Sequence, residues 1–199
     1  MAFRSTPLGR NVYAFARRHS LRRDSGVTLI ELMTTLAVLA ILTSLAAPSL
    51  REFLIRNRSA AISNEFVATI LRARNEAVNR NMCVTVCRST LADSPPQCNA
   101  GSNWQTGWIA FANAACDATA STPQADDVIV KAGPLDPSFS LVSSATNADR
   151  IQFSPSGNAR AGDAGRFDLQ YRDETRSSNR GICLNVLGRT RMVSLGGAC

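Results

Sequence analysis

Gly26-Val27-Thr28-Leu29-Ile30-Glu31-Leu32 opens a run that continues from Met33 to Leu50 and whose one helix-breaking residue is Pro48. From Leu32 to Leu50 there are 19 residues without an Asp, Glu, Lys or Arg. A helix of that length, rising about 1.5 Å per residue, nearly crosses a hydrocarbon core. The stretch reads as a membrane segment. Upstream, the first 26 residues carry six arginines against Asp24. By the positive-inside rule that end stays in the cytoplasm and the remainder is exported.

Two features separate this run from an ordinary secretory signal. No Ala-x-Ala site ends it cleanly, Leu45-Ala46-Ala47 being the nearest imitation, and the suggested cut lies before the apolar run, at Gly26. Glu31 is the second feature, because a carboxylate at the edge of a membrane helix costs about 2 to 3 kcal/mol unless a partner offsets it. The amine freed at Val27 by cleavage would stand four residues away in sequence.

Gly26, an apolar residue, then Thr28-Leu29-Ile30-Glu31-Leu32 resembles the class III signal of type IV pilins and pseudopilins. The resemblance implies that prepilin peptidase cuts after Gly26, that the new N-terminus at Val27 is methylated, and that Glu31 registers subunits in a filament. Val27 replaces the commoner Phe, and the 26-residue leader is long.

Removing the leader changes the charge balance. The formal net charge of the whole chain is +7, of which the leader holds +5, leaving +2. Overall basicity therefore says little about partners. The one His is His19, inside the leader, so the mature chain offers neither a His-based nucleophilic triad nor a His-ligated metal, and no cofactor is expected. All six cysteines, Cys83, Cys87, Cys98, Cys116, Cys183 and Cys199, lie beyond the membrane segment. That placement fits disulfides in an oxidising periplasm rather than zinc knuckles, for which no Cys-x2-Cys pair is present. Spacing favours Cys87 with Cys98 and Cys183 with Cys199, leaving Cys83 for Cys116.

Beyond Pro48, Ile62, Phe66, Ile70, Ala73 and Ala77 recur at three- and four-residue steps, with Arg72, Glu76 and Arg80 on the other side. One helix is predicted over about 28–79, bent at Pro48, its second half laying the Phe66 stripe on the core of the exported domain. After Asn81 the period falls to 2. Strands are predicted at 82–87, 107–111, 127–131, 150–153, 166–171 and 181–187. The intervening segments are rich in Ala, Ser, Asn, Asp and Pro, and Ser154-Pro155-Ser156-Gly157 is a turn. The domain plan is a leader at 1–26, a membrane or filament-core half-helix at 27–50, an amphipathic half at 51–80 and a β-rich periplasmic domain at 81–199.

Leu71-Arg72-Ala73-Arg74-Asn75-Glu76-Ala77-Val78, then Val84-Thr85-Val86-Cys87, Trp108 with Phe111, Ile151-Gln152-Phe153-Ser154-Pro155-Ser156-Gly157 and Leu187-Gly188-Arg189-Thr190-Arg191 are similar to the GspH/FimT group of minor pseudopilins and minor pilins. The resemblance implies an α+β fold, a long N-terminal helix packed on a domain of antiparallel sheet. It also implies an inner-membrane, single-pass precursor whose partners are prepilin peptidase and other pilin subunits. Two functions follow, a FimT-like minor pilin that binds DNA during uptake, or a GspH-like minor pseudopilin of type II secretion. A membrane-anchored enzyme is disfavoured by the missing His and the absence of a nucleophile motif.

The C-terminal quarter separates the two. From Arg150 to Cys199 eight arginines face four acids, whereas eight bases face ten acids from Val27 to Asp149. A phosphate backbone is the natural acceptor for charge so placed. Gly188-Arg189-Thr190-Arg191 matches the Gly-Arg-x-Arg pattern of DNA-binding FimT proteins, which makes Arg189 and Arg191 the leading contacts. Arg172, Arg176 and Arg180 fall in a polar stretch expected to be an exposed loop, two of its acids, Asp173 and Glu174, being alternative partners. Arg189 and Arg191 share a strand face with Val193 and Leu195, so a bulge near Met192 is expected to separate them.

Overall fold

The computed structural model describes residues 26–90, 96–172 and 178–199. Thr28 starts the helix: its hydroxyl accepts from the Glu31 N–H at 3.3 Å and its carbonyl from Leu32 N–H at 3.1 Å. Thr28-x-x-Glu31 is a capping-box pattern, and the carboxylate lies in the first turn, where the helix dipole favours it. Helix α1 runs Leu29–Arg80 and contains Pro48 without interruption. It is long and apolar enough to cross a membrane, with a window of mean hydropathy 2.0. The chain divides into two compact units, residues 1–45 and 46–199. In the first, the described helical residues are exposed.

In the second unit α1 buries Ile55, Ile62, Phe66, Ile70, Ala73 and Ala77, the stripe that the 3.6-residue period selects. Two four-stranded antiparallel sheets, with Trp104 from the segment between the first two strands, contribute most of the rest of the core. The first has the order β3-β2-β1-β5, from β1 (Cys83–Arg88), β2 (Trp108–Asn113), β3 (Val128–Ala132) and β5 (Arg150–Phe153). The second has the order β4-β6-β7-β8, from β4 (Phe139–Ser143), β6 (Gly165–Tyr171), β7 (Arg180–Leu184) and β8 (Thr190–Ser194). Phe66 joins them, its ring 5.1 Å from Trp108, 5.4 Å from Trp104 and 5.0 Å from Phe167. The indole N–H groups are satisfied, Trp108 by Thr69 Oγ1 at 3.1 Å and Trp104 by the Ala148 carbonyl at 2.8 Å, so neither ring costs a buried orphan donor.

Alternation along β1 sends Val84 and Val86 inward and Cys83, Thr85 and Cys87 outward, where Thr85 pairs with Phe111 and Cys87 with Ile109. That outer face is covered as well. The segment after β2 is tied to it: Asn113 Nδ2 donates to Thr85 Oγ1 and Asp117 O, Gln152 Nε2 to Asp117 O, and Arg150 Nη1 to Ala118 O and Ala120 O. Disulfides join Cys83 to Cys116, Cys87 to Cys98 and Cys183 to Cys199. Cys87, Ile109 and Phe111, with Cys98 and Ala120 packed on them, form a second small core under these loops.

The strand expectations need four corrections. Strands β4 and β8 had no counterpart among the predicted segments. The 181–187 strand stops at Leu184, because Asn185 begins a turn in which Gly188 N–H bonds to Asn185 O at 2.9 Å. The bulge near Met192 is absent: β7 and β8 pair without a shift from Arg180↔Ser194 to Leu184↔Thr190. The reason is that β8 is a sheet edge, so the face carrying Arg191 and Val193 does not enter the main core and the two side chains coexist there.

Candidate functional site

Gly188, Arg189 and Arg191 lie at the β7–β8 turn. Asn185 builds it, its carbonyl accepting from Gly188 N–H and its side-chain Oδ1 from Arg189 N–H at 2.9 Å. Gly188 has φ +72°, and a Cβ there would collide with the Gly157 carbonyl. The Gly of Gly-Arg-x-Arg is therefore fixed by close packing. Arg189 is exposed, with no side-chain hydrogen bond or ion pair among the described residues. Arg191 is exposed and its Nη2 donates to the Ala198 carbonyl at 2.9 Å. Both arginines line one open groove of about 510 Å³, with Cys183, Leu184, Asn185, Thr190 and Cys199.

The other arginines of this quarter are spent elsewhere. Arg180 opens β7 rather than lying in an exposed loop: it shares a strand face with buried Ile182 and Leu184, and its buried Nε has no hydrogen-bond partner among the described residues. Arg172, at the end of β6, is exposed with φ +51°, and its guanidinium lies 5.4 Å from the centre of the Tyr171 ring. Arg176, with Asp173 and Glu174, falls outside the described residues. Thr190 pairs with Leu184 and Ser194 with Arg180, so the turn and the Arg180 end are separated by four strand residues, about 13 Å. Neither Arg172 nor Arg180 lines the groove that holds Arg189 and Arg191. Arg150 pairs with Asp149 at 3.0 Å while clamping the outer loop. Arg166 pairs with Asp168 at 2.6 Å and donates to the Gly197 carbonyl, helping to hold the last residues over the outer face of β6 to β8. The basic surplus counted in the sequence thus reduces, at the groove, to Arg189 and Arg191.

Gly26 and Val27 precede α1 and are exposed, and among the described residues nothing approaches within 4 Å of a Cβ built on Gly26. The rest of the expected leader lies outside the described residues. Among the described residues no group of three or more His, Cys, Asp or Glu is placed to hold a metal ion.

Residues 63–188 match the family model for the type II transport protein GspH, and residues 21–47 match the prokaryotic N-terminal methylation motif. The fold is similar to the type IV minor pilin FimU of Pseudomonas aeruginosa in two crystal forms. One superposes with a TM-score of 0.55 at 17% identity, covering 74% of this chain and 96% of that one. The other gives 0.52 at 15% identity, covering 70% and 96%. No curated protein sequence matches the chain. With its N-terminal methylation motif, its long helix on antiparallel sheets and a family match over most of its length, the chain belongs to the GspH/FimT family of type IV pilin-like proteins.

Proposed function

We propose that this chain is a minor pilin of a type IV pilus whose exported domain binds DNA without sequence preference, through the groove of Arg189 and Arg191, during DNA uptake. In this reading prepilin peptidase cleaves after Gly26, Val27 becomes the methylated N-terminus, α1 anchors the precursor in the inner membrane, and the periplasmic domain enters a filament with other pilin subunits. One observation carries the DNA reading: two arginines two residues apart line the same open groove, and the Arg189 side chain has no hydrogen-bond or ion-pair partner among the described residues. Two cations in one depression suit a phosphate backbone, where each neutralised phosphate contributes a log–log salt slope of about −0.9.

The test is duplex binding by the mature full-length chain in non-ionic micelles across a salt series. Wild type should bind weakly and uniformly across sequences with a shallow slope. The Arg189→Gln, Arg191→Gln double variant should lower affinity about equally for all sequences and flatten the slope by about two. Of the single variants, Arg189→Gln should lose more, since Arg191 already shares a donor with Ala198 O. A folded double variant that binds as wild type does would remove the groove as the site. It would also move the reading to a minor pseudopilin of type II secretion, which the name of the matching family model favours.

A further inference from the structure

Three segments that carry the family resemblance, 71–78 on α1, 151–157 and 187–191, meet at one point. Arg74 Nε donates to the Gly157 carbonyl at 2.9 Å across a sequence separation of 83. Gly157 closes the 154–157 turn, its N–H bonded to Ser154 O at 2.8 Å, and with φ +78° it leaves room for Val78 and Arg74: a Cβ there would lie 3.0 Å from Val78 Cγ2 and 3.2 Å from Arg74 Nε. Gly188 packs on the same carbonyl, and a Cβ on it would lie 2.9 Å from Arg74 Nε. Ala159 N–H bonds to Val186 O at 3.0 Å and ties the two turns together. The helix guanidinium thus holds the 154–157 turn, and through it the turn from which Arg189 projects.

We infer that Arg74 is the positioning residue for the Arg189 turn: it acts through the Gly157 carbonyl to fix where that guanidinium stands, and it is not itself a contact. The inference rests on the reading of Arg189 as a DNA contact only for its consequence in binding. The geometry is specific to arginine. A planar guanidinium offers Nε at a fixed direction along the side chain, which the single, mobile ammonium of lysine does not reproduce.

Hydrogen exchange on the full chain in non-ionic micelles tests the latch without DNA, using Arg74→Lys and Arg74→Gln. Both should speed exchange at Gly188 and Arg189 by about tenfold or more while β6 and β7 keep wild-type protection. Gly188→Ala, which leaves Arg74 in place and displaces the turn from Gly157, should give the same local change. Unchanged exchange at Gly188 and Arg189 in both Arg74 variants overturns the inference. DNA binding then separates positioning from contact. Arg74→Lys, which keeps the charge, should lose as much affinity as Arg74→Gln with the salt slope of wild type; wild-type affinity in Arg74→Lys would make Arg74 a phosphate contact and overturn the positioning role. Absence of DNA binding by wild type would defeat the proposed function, and the exchange result would still decide the latch.

Discussion

Asp163 is fully buried and accepts from Asn147 Nδ2 at 2.6 Å and from Gln152 N–H at 2.8 Å, fastening the 160–163 turn to β5 and to the loop before it. Burial pushes its carboxyl above the ordinary value of 3.8, against the pull of those two donors and of Arg160 and Arg150. Because the folded carboxyl holds its proton more tightly than the unfolded one, this contribution is present below the unfolded value and is lost as pH rises through the folded one. Asp117 and Asp136 run the other way. Hydrogen bonds from Thr119 and Ser138 lower their carboxyls, so their contributions are present above the unfolded value and fade as pH falls through the folded one. Asp163→Asn should therefore remove a decline in stability on the alkaline side of 3.8, seen as a change in the pH dependence of the denaturant midpoint. Parallel profiles for the two proteins would contradict this. Phe66→Ala should cost about 3 to 5 kcal/mol, since its ring contacts residues of both sheets, and a thermal melt reads it directly. Phe66 was legible because helical period is local. The packing role of Gly188 was not, because its partners Gly157 and Arg74 are distant in sequence and only the fold brings them together.

Among the elements, α1 and the strands facing it were legible from periodicity, and the two missed strands show where that signal fails. Strand β8 is a sheet edge, and its alternation carries Arg191 and Val193 on one face and Met192 on the other, so no apolar period marks it. Strand β4 does alternate, Phe139, Leu141 and Ser143 being buried, but it follows Pro137, which reads as loop, and it is rich in Ser. The outer face of the first sheet was illegible for another reason: its cover comes from Ala-, Ser- and Asn-rich loops whose composition signals exposure. Those loops are held by side-chain clamps and by two disulfides, so the clamps and the bridges can be separated by experiment. Replacing Cys83 and Cys116 together by Ser should cost about 2 to 4 kcal/mol and open the 114–121 segment to limited proteolysis, while the backbone ladders of β1 with β2 and β5 keep the strands paired. Unchanged melting and an unchanged cleavage pattern would mean that the clamps alone hold the loop.

For the whole molecule, the long helix has two different solvents to satisfy. Leu29, Ile30, Met33, Ile41 and Leu45 are each at least 60% exposed, while Phe66 and Ile70 are fully buried. Apolar area left in water on the first stretch would cost about 25 cal/mol per Å², which a bilayer would relieve and, in the proposed filament, neighbouring subunits would relieve afterwards. The leader enters here. In the proposed reading its six arginines hold the precursor's start on the cytoplasmic side, and cleavage after Gly26 would lower the net charge from +7 to +2. Among the described residues nothing lies within 4 Å of a Cβ built on exposed Gly26, which suits the proposed cut there. Intact-mass measurement of the membrane-extracted protein should find a methylated species beginning at Val27, and Gly26→Arg should leave only the precursor; any other start for the mature chain would break the class III reading. Glu31 then separates processing from assembly. It lies in the first turn, whose Thr28 cap does not depend on the carboxylate, so Glu31→Ala should still fold and still be cut. In the proposed filament the Glu31 carboxylate meets the freed amine of Val27 on a neighbour, so recovery of the variant in sheared filaments should fall well below wild type. Equal recovery would leave Glu31 with its place in the capping box and no part in registering subunits.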